Sequence, residues 1–512
     1  MALLLGEVVR RHAARRPRKT AYVIGPHRVT YGALDALANR LANVLRGLGV
    51  RHGDRVATLA PNRLEYPALY FAVAKLGAIH VPVNFRYRAG EIRYALAQSE
   101  ASVCFCAADF VETVEGLRPE LPALRHLLRL DGDGPGSVRA LLAAASDREP
   151  APEPALDERD PHVLLYTSGT TGDPKGALLS HRTYLLQAIC SQAATGLGED
   201  ATGLCMFPMF HMGGWAMPLG YWVNGGTAVL MEKADPAEIL RAAERERVTY
   251  LYLIPTLYQS VLGLPEFERT DLTALRALGS GTAAMTAEQV ETIITRFRTP
   301  NLFIMYGQTE AGPVAMLRPG DVRRKPTSVG RPAPHVDVRT VDRDGADAAP
   351  GEVGEIACRS EYTMLGYWRM PAATADALRG GWLHTGDLAA FDDEGFLHIA
   401  GRLKEMIKCG GESIFPAEVE RCLLEHPGVV EAAVFGVPDA HWGEVTVAAI
   451  VRRPGVPLDQ DAVVGHVRSR LAGYKKPRHV LFVDALPRTA STRQVQKTVL
   501  REQWLLARGG DG

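Results

Sequence analysis

The chain has 512 residues, longer than one hydrophobic core usually supports, so its length predicts two or more domains. Lysine plus arginine and aspartate plus glutamate each number 58, which gives a formal net charge of zero. No run of basic residues is interleaved with aromatic residues, so we expect no nucleic-acid partner.

The seven cysteines are scattered along the chain without a C-x-x-C pair. This pattern predicts reduced cysteines that serve packing, and a cytoplasmic location. The apolar start Ala2–Leu5 is too short for the core of a signal peptide, and no apolar run approaches the ~20 residues of a membrane span. We therefore expect no membrane insertion.

In chain order, residues 1 to about 135 alternate helical and strand-like patterns. Apolar residues recur every three to four positions over 31–42, and 55–60 reads as a buried strand. This alternation is typical of parallel sheets. Residues 147–161 are rich in proline and charge, which predicts an exposed connector.

The segment Tyr166–Gly176 combines hydroxyl side chains, glycines and Lys175 between two strand-like apolar runs. Glycines let backbone N–H groups approach an anion, hydroxyls add donors, and the ammonium supplies charge. This composition predicts a loop that binds the phosphates of a nucleotide. It is not a P-loop of the G-x-x-x-x-G-K-[ST] kind, because Gly176 follows Lys175.

From about residue 335, short strands with Gly/Asp turns predict a β-rich unit, and residues 405–512 indicate a compact α+β unit. Three further motifs follow the phosphate loop, namely Tyr306–Glu310, Trp382–Asp387 and Gly401–Lys408. In this order the four segments resemble the signatures of the acyl-adenylate-forming superfamily, which includes acyl-CoA synthetases, peptide-synthetase adenylation domains and luciferases.

The resemblance implies an α/β fold with a large N-terminal domain of parallel α/β layers and a small, mobile α+β C-terminal domain. The implied boundaries are 1–403 for the N-terminal domain, with the β-rich subdomain at about 335–403, and 404–512 for the C-terminal domain. The implied reaction is ATP- and Mg²⁺-dependent activation of a carboxylic acid with release of pyrophosphate, followed by thioester formation with CoA.

Two other functions stay open from the sequence. One is a diazotase of the same superfamily, which activates nitrite with ATP for an aromatic amine. The other is a non-catalytic nucleotide-binding scaffold. An amino acid is a less expected substrate, because no aspartate that could pair with an α-amine lies between Phe207 and Met217. The oligomeric state is left open.

The resemblance also implies roles for individual residues around the nucleotide. Glu310 and Thr167 would hold Mg²⁺, and Thr309 would contact the α-phosphate or the substrate carboxylate. Asp387 would bind the ribose hydroxyls with Arg402 as its supporting cation. The β- and γ-phosphates would be bound by Thr167, Ser168, Gly169, Thr170, Thr171 and Lys175. The adenine would be bound by Ser280, Gly281, Thr282 and Tyr306, with Gly307 and Gln308 in the same motif.

Other implied roles concern the acid and the C-terminal domain. His211 would lie near the carboxylate, and Trp215 would limit the depth of the acyl pocket. Lys404 would be the hinge about which the C-terminal domain rotates.

The last motif of the superfamily departs from its usual pattern here. Its lysine bridges the α-phosphate and the substrate carboxylate, whereas the segment Leu486–Lys497 has one extra residue and lacks the usual glycine. Counted forward from Pro487 the lysine position holds Arg493, and counted back from Lys497 it holds Gln494. An arginine can still bridge two oxygens, but a shift in register can lower a rate by orders of magnitude.

Overall fold

We describe a computed structural model of the chain, which covers residues 3–134, 136–151, 154–167, 174–283, 285–409, 412–439, 441–489 and 494–509. The helices are α1 (Leu5–Arg15), α2 (Tyr31–Gly47), α3 (Tyr66–Lys75), α4 (Ala89–Ser99), α5 (Ala108–Leu117), α6 (Val138–Ala144), α7 (His181–Thr195), α8 (Met212–Val223), α9 (Pro236–Arg245), α10 (Pro255–Leu262), α11 (Ala287–Arg296), α12 (Pro319–Val322), α13 (Pro371–Ala377), α14 (Pro416–Leu424), α15 (Gln460–Arg468) and α16 (Lys497–Gly509).

The strands are β1 (Thr20–Ile24), β2 (His27–Thr30), β3 (Arg55–Leu59), β4 (Ile79–Val83), β5 (Val103–Cys106), β6 (His126–Arg129), β7 (Pro161–Thr167), β8 (Lys175–Ser180), β9 (Thr202–Cys205), β10 (Thr227–Leu230), β11 (Tyr250–Tyr252), β12 (Ala277–Gly281), β13 (Leu302–Gln308), β14 (Gly312–Leu317), β15 (Arg331–Pro332), β16 (Val336–Val341), β17 (Gly354–Ser360), β18 (Gly366–Tyr367), β19 (Leu383–Phe391), β20 (Leu397–Arg402), β21 (Ile407–Cys409), β22 (Glu412–Ile414), β23 (Val429–Asp439), β24 (Gly443–Arg452) and β25 (His479–Phe482).

Two largely parallel sheets form the N-terminal part of the chain. The larger has the order β15-β14-β13-β12-β11-β9-β10-β1-β2, and the smaller has the order β18-β8-β7-β4-β3-β5-β6. The predicted helix at 31–42 and the predicted strand at 55–60 are observed as α2 and β3. Thr30 caps the N-terminus of helix α2, since its side chain accepts a hydrogen bond from the N–H of Ala33, and the helix buries an apolar face.

The β-rich unit is an antiparallel sheet of order β16-β17-β19-β20. Its buried residues Leu383 and Leu397 belong to the same hydrophobic core as the larger sheet. Beyond it, strands β21 to β25 form a separate sheet with two small cores of its own. The predicted fold class, with a large N-terminal and a small C-terminal domain, is confirmed. The exact boundary between residues 403 and 404 stays a prediction.

Two antiparallel hairpins carry the nucleotide motifs. Strands β7 and β8 pair with Thr167 opposite Lys175, so the predicted phosphate loop leaves and re-enters the sheet at this point. Strands β13 and β14 pair with Gln308 opposite Gly312, which places Thr309 and Glu310 in the turn. Sequence patterning therefore positions both motifs at the ends of ordered strands.

All seven cysteines are buried free thiols. Among the described residues, we find no helix with the length and apolar character that crossing a bilayer requires.

Candidate active site

A cavity of about 2170 Å³ lies where the hairpin ends, the β-rich unit and the C-terminal domain meet. Predicted site residues from all three parts line it: Thr167, Lys175, His211, Gly281, Thr282, Tyr306, Gly307, Gln308, Thr309, Glu310, Asp387, Arg402 and Lys404. Four predicted phosphate ligands, Ser168, Gly169, Thr170 and Thr171, lie outside the described residues. The structure thus brings residues more than 200 positions apart into one cavity.

Thr167 and Glu310 meet at the phosphate end of the cavity. The Thr167 hydroxyl lies 3.2 Å from Oε1 of Glu310, and Tyr367 OH donates to the same oxygen at 3.0 Å. The Nζ of Lys175 lies 5.1 Å from the centre of the Tyr367 ring. Sequence reasoning missed Tyr367, which contacts both the predicted metal ligand Glu310 and the predicted phosphate-binding residue Lys175.

This corner fits Mg²⁺ in its donor set. Mg²⁺ usually takes one or two protein carboxylates and completes its shell with phosphate oxygens and water, which Glu310 and the Thr167 hydroxyl would complement. Within the described ranges, no cluster of three or more His, Cys, Asp or Glu side chains forms a metal cage. The corner suits a metal that arrives with a nucleotide.

Asp387 is the centre of the predicted ribose site and is only 6 % exposed. Its Oδ2 accepts hydrogen bonds from Tyr306 OH and from Nε2 of Gln308, both at 2.7 Å. Its Oδ1 lies 3.1 Å from Nε of Arg402. Because β19 and β20 pair with Asp387 opposite Arg402, the register itself places the supporting cation beside the carboxylate.

The adenine segment is only partly as predicted. Gly281 and Thr282 line the cavity, and Thr282 adopts a left-handed backbone with φ of 69°, a strained conformation for a β-branched residue. The Ser280 side chain is instead fully buried and donates to the carbonyl of Leu253 at 3.0 Å. Assigning Ser280 to the adenine is therefore corrected, because alternate residues of β12 face opposite sides of the sheet.

Cationic groups converge on the phosphate side. Burial, together with the charges of Lys175 and Arg402, lowers the pKa of Lys404. A neighbouring positive charge lowers the pKa of a lysine only at short range, so Lys404 lies close to Lys175 and Arg402. Such a concentration of positive charge favours a polyanionic ligand.

His211 caps the N-terminus of α8, and its Nδ1 accepts a hydrogen bond from the N–H of Gly213 at 3.2 Å. Burial lowers the pKa of His211 to about 4, so the ring is neutral at pH 7. Its proton therefore lies on Nε2, which leaves one N–H donor in the cavity.

The expectation that Trp215 limits the acyl pocket is wrong. Trp215 is fully buried and stacks on Tyr70 with ring centroids 3.9 Å apart, on the face of α8 away from the cavity. Gly213, Ala216, Met217 and Gly220 of α8 line the cavity instead. Sequence reasoning also missed helix α7, from which five residues line the same cavity: Gln187, Ala188, Ser191, Gln192 and Thr195.

The two described ends of the last motif pair with each other at the edge of the cavity, with Arg488 opposite Val495. The backbone N–H of Thr489 donates to the carbonyl of Gln494 at 2.7 Å, and Gln494 lines the cavity. Arg493 lies outside the described residues. Lys497 also lines the cavity, where its Nζ lies 2.9 Å from Glu405 and 2.8 Å from Glu420.

The fold and the site together define a nucleotide-dependent enzyme with an acid pocket. A model of the AMP-binding enzyme family matches residues 9–368, and a model of the AMP-binding enzyme C-terminal domain matches residues 418–493. The chain belongs to the AMP-binding enzyme family.

Relatives of known activity cover almost the whole chain. A feruloyl-CoA synthase of Amycolatopsis sp is 41% identical over 501 residues, covering 97% of this chain and 98% of the relative. An indoleacetate–CoA ligase of Aromatoleum aromaticum is 39% identical over 490 residues, covering 95% of each. The structure of ATP-bound MatB from Rhodopseudomonas palustris matches with a TM-score of 0.90 and 31% identity, covering 98% of this chain and 99% of MatB.

The predicted resemblance to the acyl-adenylate-forming superfamily is confirmed by these matches. The predicted activity, an AMP-forming, acid-activating ligase of the acyl-CoA synthetase type, is confirmed at the level of the family.

Proposed function

We propose that the enzyme activates an aromatic carboxylic acid with ATP and transfers the aryl-acyl group to CoA. We call the part of the cavity beside His211 the acid chamber. The observation that carries the proposal is its aromatic lining, which consists of Phe207, Tyr221, Tyr250 and Tyr252. Aromatic rings pair favourably with one another beyond their area of contact. The relatives named for ferulate and indoleacetate support the same substrate class.

In the first half-reaction, a carboxylate oxygen forms a bond to the α-phosphorus of ATP while the bond from that phosphorus to the pyrophosphate oxygen breaks. Lys175, Arg402 and Lys404 would stabilise the negative charge on the phosphates. Nε2–H of His211 and the hydroxyl of Thr309 would orient the carboxylate from the other side. Mg²⁺ held by Glu310 and Thr167 would neutralise phosphate charge.

In the second half-reaction, the CoA sulfur forms a bond to the acyl carbon, and AMP leaves with the electrons of the acyl–oxygen bond. Asp387, with Tyr306 and Gln308, would hold the ribose during both steps. Lys404 would act as the hinge between them. Its neighbour Glu405 forms an ion pair with Lys497 of α16, so the C-terminal helix contacts the hinge segment directly.

The test is pyrophosphate release from ATP without CoA across aromatic acids, aliphatic acids and nitrite. We expect pyrophosphate release with aromatic acids. The rate should fall at least about 100-fold in Lys175→Ala, because this variant lacks the ammonium group that binds the phosphates. Lys233→Ala is the matched control, since Lys233 is an exposed lysine away from the cavity. Release that is equally fast with aliphatic acids would contradict the aromatic substrate class, and full activity of Lys175→Ala would contradict the site.

A second candidate function is ATP-dependent activation of nitrite for transfer to an aromatic amine. The observation in its favour is the altered last motif, since Gln494 lies in the cavity near the position that a lysine usually holds. Pyrophosphate release with nitrite alone would establish this function. Release with a carboxylate that is lost in Arg493→Ala, but kept in Gln494→Ala, would identify Arg493 as the replacement for the lysine in carboxylate activation.

A further inference from the structure

The ribose carboxylate lies in an irregular stretch of strand β19. Where β17 contributes the single residue Ile356 to the pairing, β19 contributes three residues, Thr385, Gly386 and Asp387. We call Thr385–Asp387 the ribose bulge. Such β-bulges bend a strand and re-aim its side chains, often next to an active site. The direction in which Asp387 points therefore depends on how this bulge is held.

Gly386 gives the ribose bulge its turn. Its φ of 72° lies in the left-handed region that favours glycine. A Cβ atom at Gly386 would meet no atom within 4 Å, so the position requires glycine for its backbone conformation and not for space. Residues of a bulge do not pair regularly across the sheet, so their backbone N–H groups need other acceptors.

Two side chains accept these N–H groups. Oε1 of Glu355 accepts from the N–H of Gly386 at 3.0 Å, and Oγ1 of Thr385 accepts from the N–H of Asp387 at 3.1 Å. The Thr385 hydroxyl in turn donates to the carbonyl of Ile356 at 2.9 Å. The ribose bulge is therefore fixed to β17 through the side chain of Glu355 and the backbone of Ile356.

The second oxygen of Glu355 fixes the orientation of its carboxylate. Oε2 accepts from Nη2 of Arg379 at 2.7 Å and lies 3.0 Å from Nδ1 of His384. The Glu355 side chain is only 11 % exposed, so these contacts are largely shielded from water. Glu355 does not line the cavity, and it can therefore act on the nucleotide only through the ribose bulge.

We propose that Glu355 is a positioning residue, which holds the ribose bulge so that the Asp387 carboxylate faces the ribose hydroxyls. The inference rests on the ribose role of Asp387 in the proposed function. Without Glu355, the N–H of Gly386 loses its acceptor and the bulge can shift along the strand. Because side chains of a strand alternate between its two faces, a shift by one residue turns Asp387 away from the cavity.

The experiment measures the Kd of ATP and of its 2′-deoxy and 3′-deoxy analogues by isothermal titration calorimetry. No acid is added, so the result does not depend on the substrate class. We expect the wild type to bind ATP at least about tenfold more tightly than one of the two analogues, since a hydrogen bond to a carboxylate is lost. In Glu355→Ala this preference should fall below about threefold, because Asp387 is misplaced. Glu355→Gln should keep more than about fivefold, because its amide oxygen still accepts from the N–H of Gly386.

A double-mutant cycle tests whether Glu355 acts through Asp387. Glu355→Ala should raise the Kd of ATP at least about fivefold in the wild type. In the Asp387→Asn background, the same substitution should raise it less than about twofold further, because the carboxylate that Glu355 positions is already absent. A purely structural role of Glu355 would give the same increase in both backgrounds.

Asp392→Ala is the matched control for loss of a carboxylate in the β-rich unit. Asp392 accepts from the N–H groups of Glu394 and Phe396 and from Nζ of Lys325, but it does not line the cavity. This variant should leave the Kd of ATP and the preference over the deoxy analogues unchanged. Thermal midpoints of all variants show that the fold is intact.

The outcomes separate the inference from the proposed function. The inference is overturned, while the ribose role of Asp387 stands, if Glu355→Ala keeps the wild-type preference or if Glu355→Gln loses as much of it as Glu355→Ala. Equal loss in Asp392→Ala, or additive effects in the cycle, would overturn it as well. A wild type that binds all three nucleotides equally would overturn the ribose role of Asp387, and the inference with it. Failure of the proposed substrate class would instead appear only in the pyrophosphate assay, with the calorimetric preferences unchanged.

Discussion

Replacing Asp387 with asparagine tests the ribose site quantitatively. A carboxylate offers about four acceptor positions, and Tyr306, Gln308 and Arg402 already occupy three of them. One position is left for a ribose hydroxyl unless a protein partner moves away. A hydrogen bond to a charged acceptor contributes about 1.5–3 kcal/mol, so we expect the KM for ATP to rise about 10- to 150-fold in Asp387→Asn.

The assay is pyrophosphate release with ATP and with its 2′-deoxy and 3′-deoxy analogues, for both proteins. If Asp387 binds a ribose hydroxyl, removing that hydroxyl and removing the charge must be strongly non-additive. In the wild type, one deoxy analogue should raise the KM for the nucleotide by most of the expected 10- to 150-fold. In Asp387→Asn, the same analogue should raise the KM little beyond the value for ATP.

Asp392→Asn is the matched control. Asp392 also accepts from a cation and from backbone N–H groups in the β-rich unit, but it does not line the cavity. It should leave the KM for ATP unchanged. Additive losses with both deoxy analogues in Asp387→Asn would refute the assignment of Asp387 to the ribose.

Three further predictions concern the metal, the hinge and the buried histidines. Glu310→Gln should raise the Mg²⁺ concentration needed for half-maximal pyrophosphate release about tenfold or more, and an unchanged Mg²⁺ dependence would contradict its role as a ligand. Lys497→Met should lower the free energy of unfolding by about 2 kcal/mol in urea titrations, less than for a fully buried pair because Glu405 and Glu420 are partly exposed. Burial lowers the pKa of His80 to about 3, of His181 to about 4, and that of His162 well below its usual value, so the folded protein keeps them neutral. The unfolded chain binds their protons as the pH falls through about 6.5, so this stability is present above that pH and is lost below it, by about 1 kcal/mol per histidine between pH 6.5 and 5.5 and by up to about 1.4 kcal/mol per pH unit further down, as far as the folded pKa. The slope between pH 6.5 and 5.5 should decrease in His162→Gln; an unchanged slope would show that His162 does not contribute.

The sequence predicts the nucleotide half of the site because its residues occur in short motifs at strand ends. Thr167 and Lys175 follow from the apolar runs that became β7 and β8, and Asp387 and Arg402 meet through the register of two strands. Tyr367 could not be predicted in this way. It reaches Glu310 from 57 positions further along the chain, with no recognisable motif of its own.

The residues that would bind the acid are harder to predict, because they lie on helices α7 and α8 and the sequence does not show which face of each helix lines the cavity. Helix α8 is apolar around its whole circumference, so no polar stripe indicates which side faces the core, and Trp215 was assigned to the wrong side. Helix α7 places glutamines in buried positions, where periodicity predicts apolar residues. Ser280 was misassigned because the alternation of β12 turns its side chain away from Gly281.

The most direct test of the central claim is the ratio of products that the purified enzyme forms from ATP, CoA and an aromatic carboxylic acid such as 3-phenylpropenoic acid. AMP and aryl-CoA thioester, quantified together by mass spectrometry, should form in a one-to-one ratio, and both should require the acid. AMP formation that needs the acid but yields no thioester would contradict CoA as the acceptor, and AMP formation only with nitrite would contradict a carboxylic acid as the substrate.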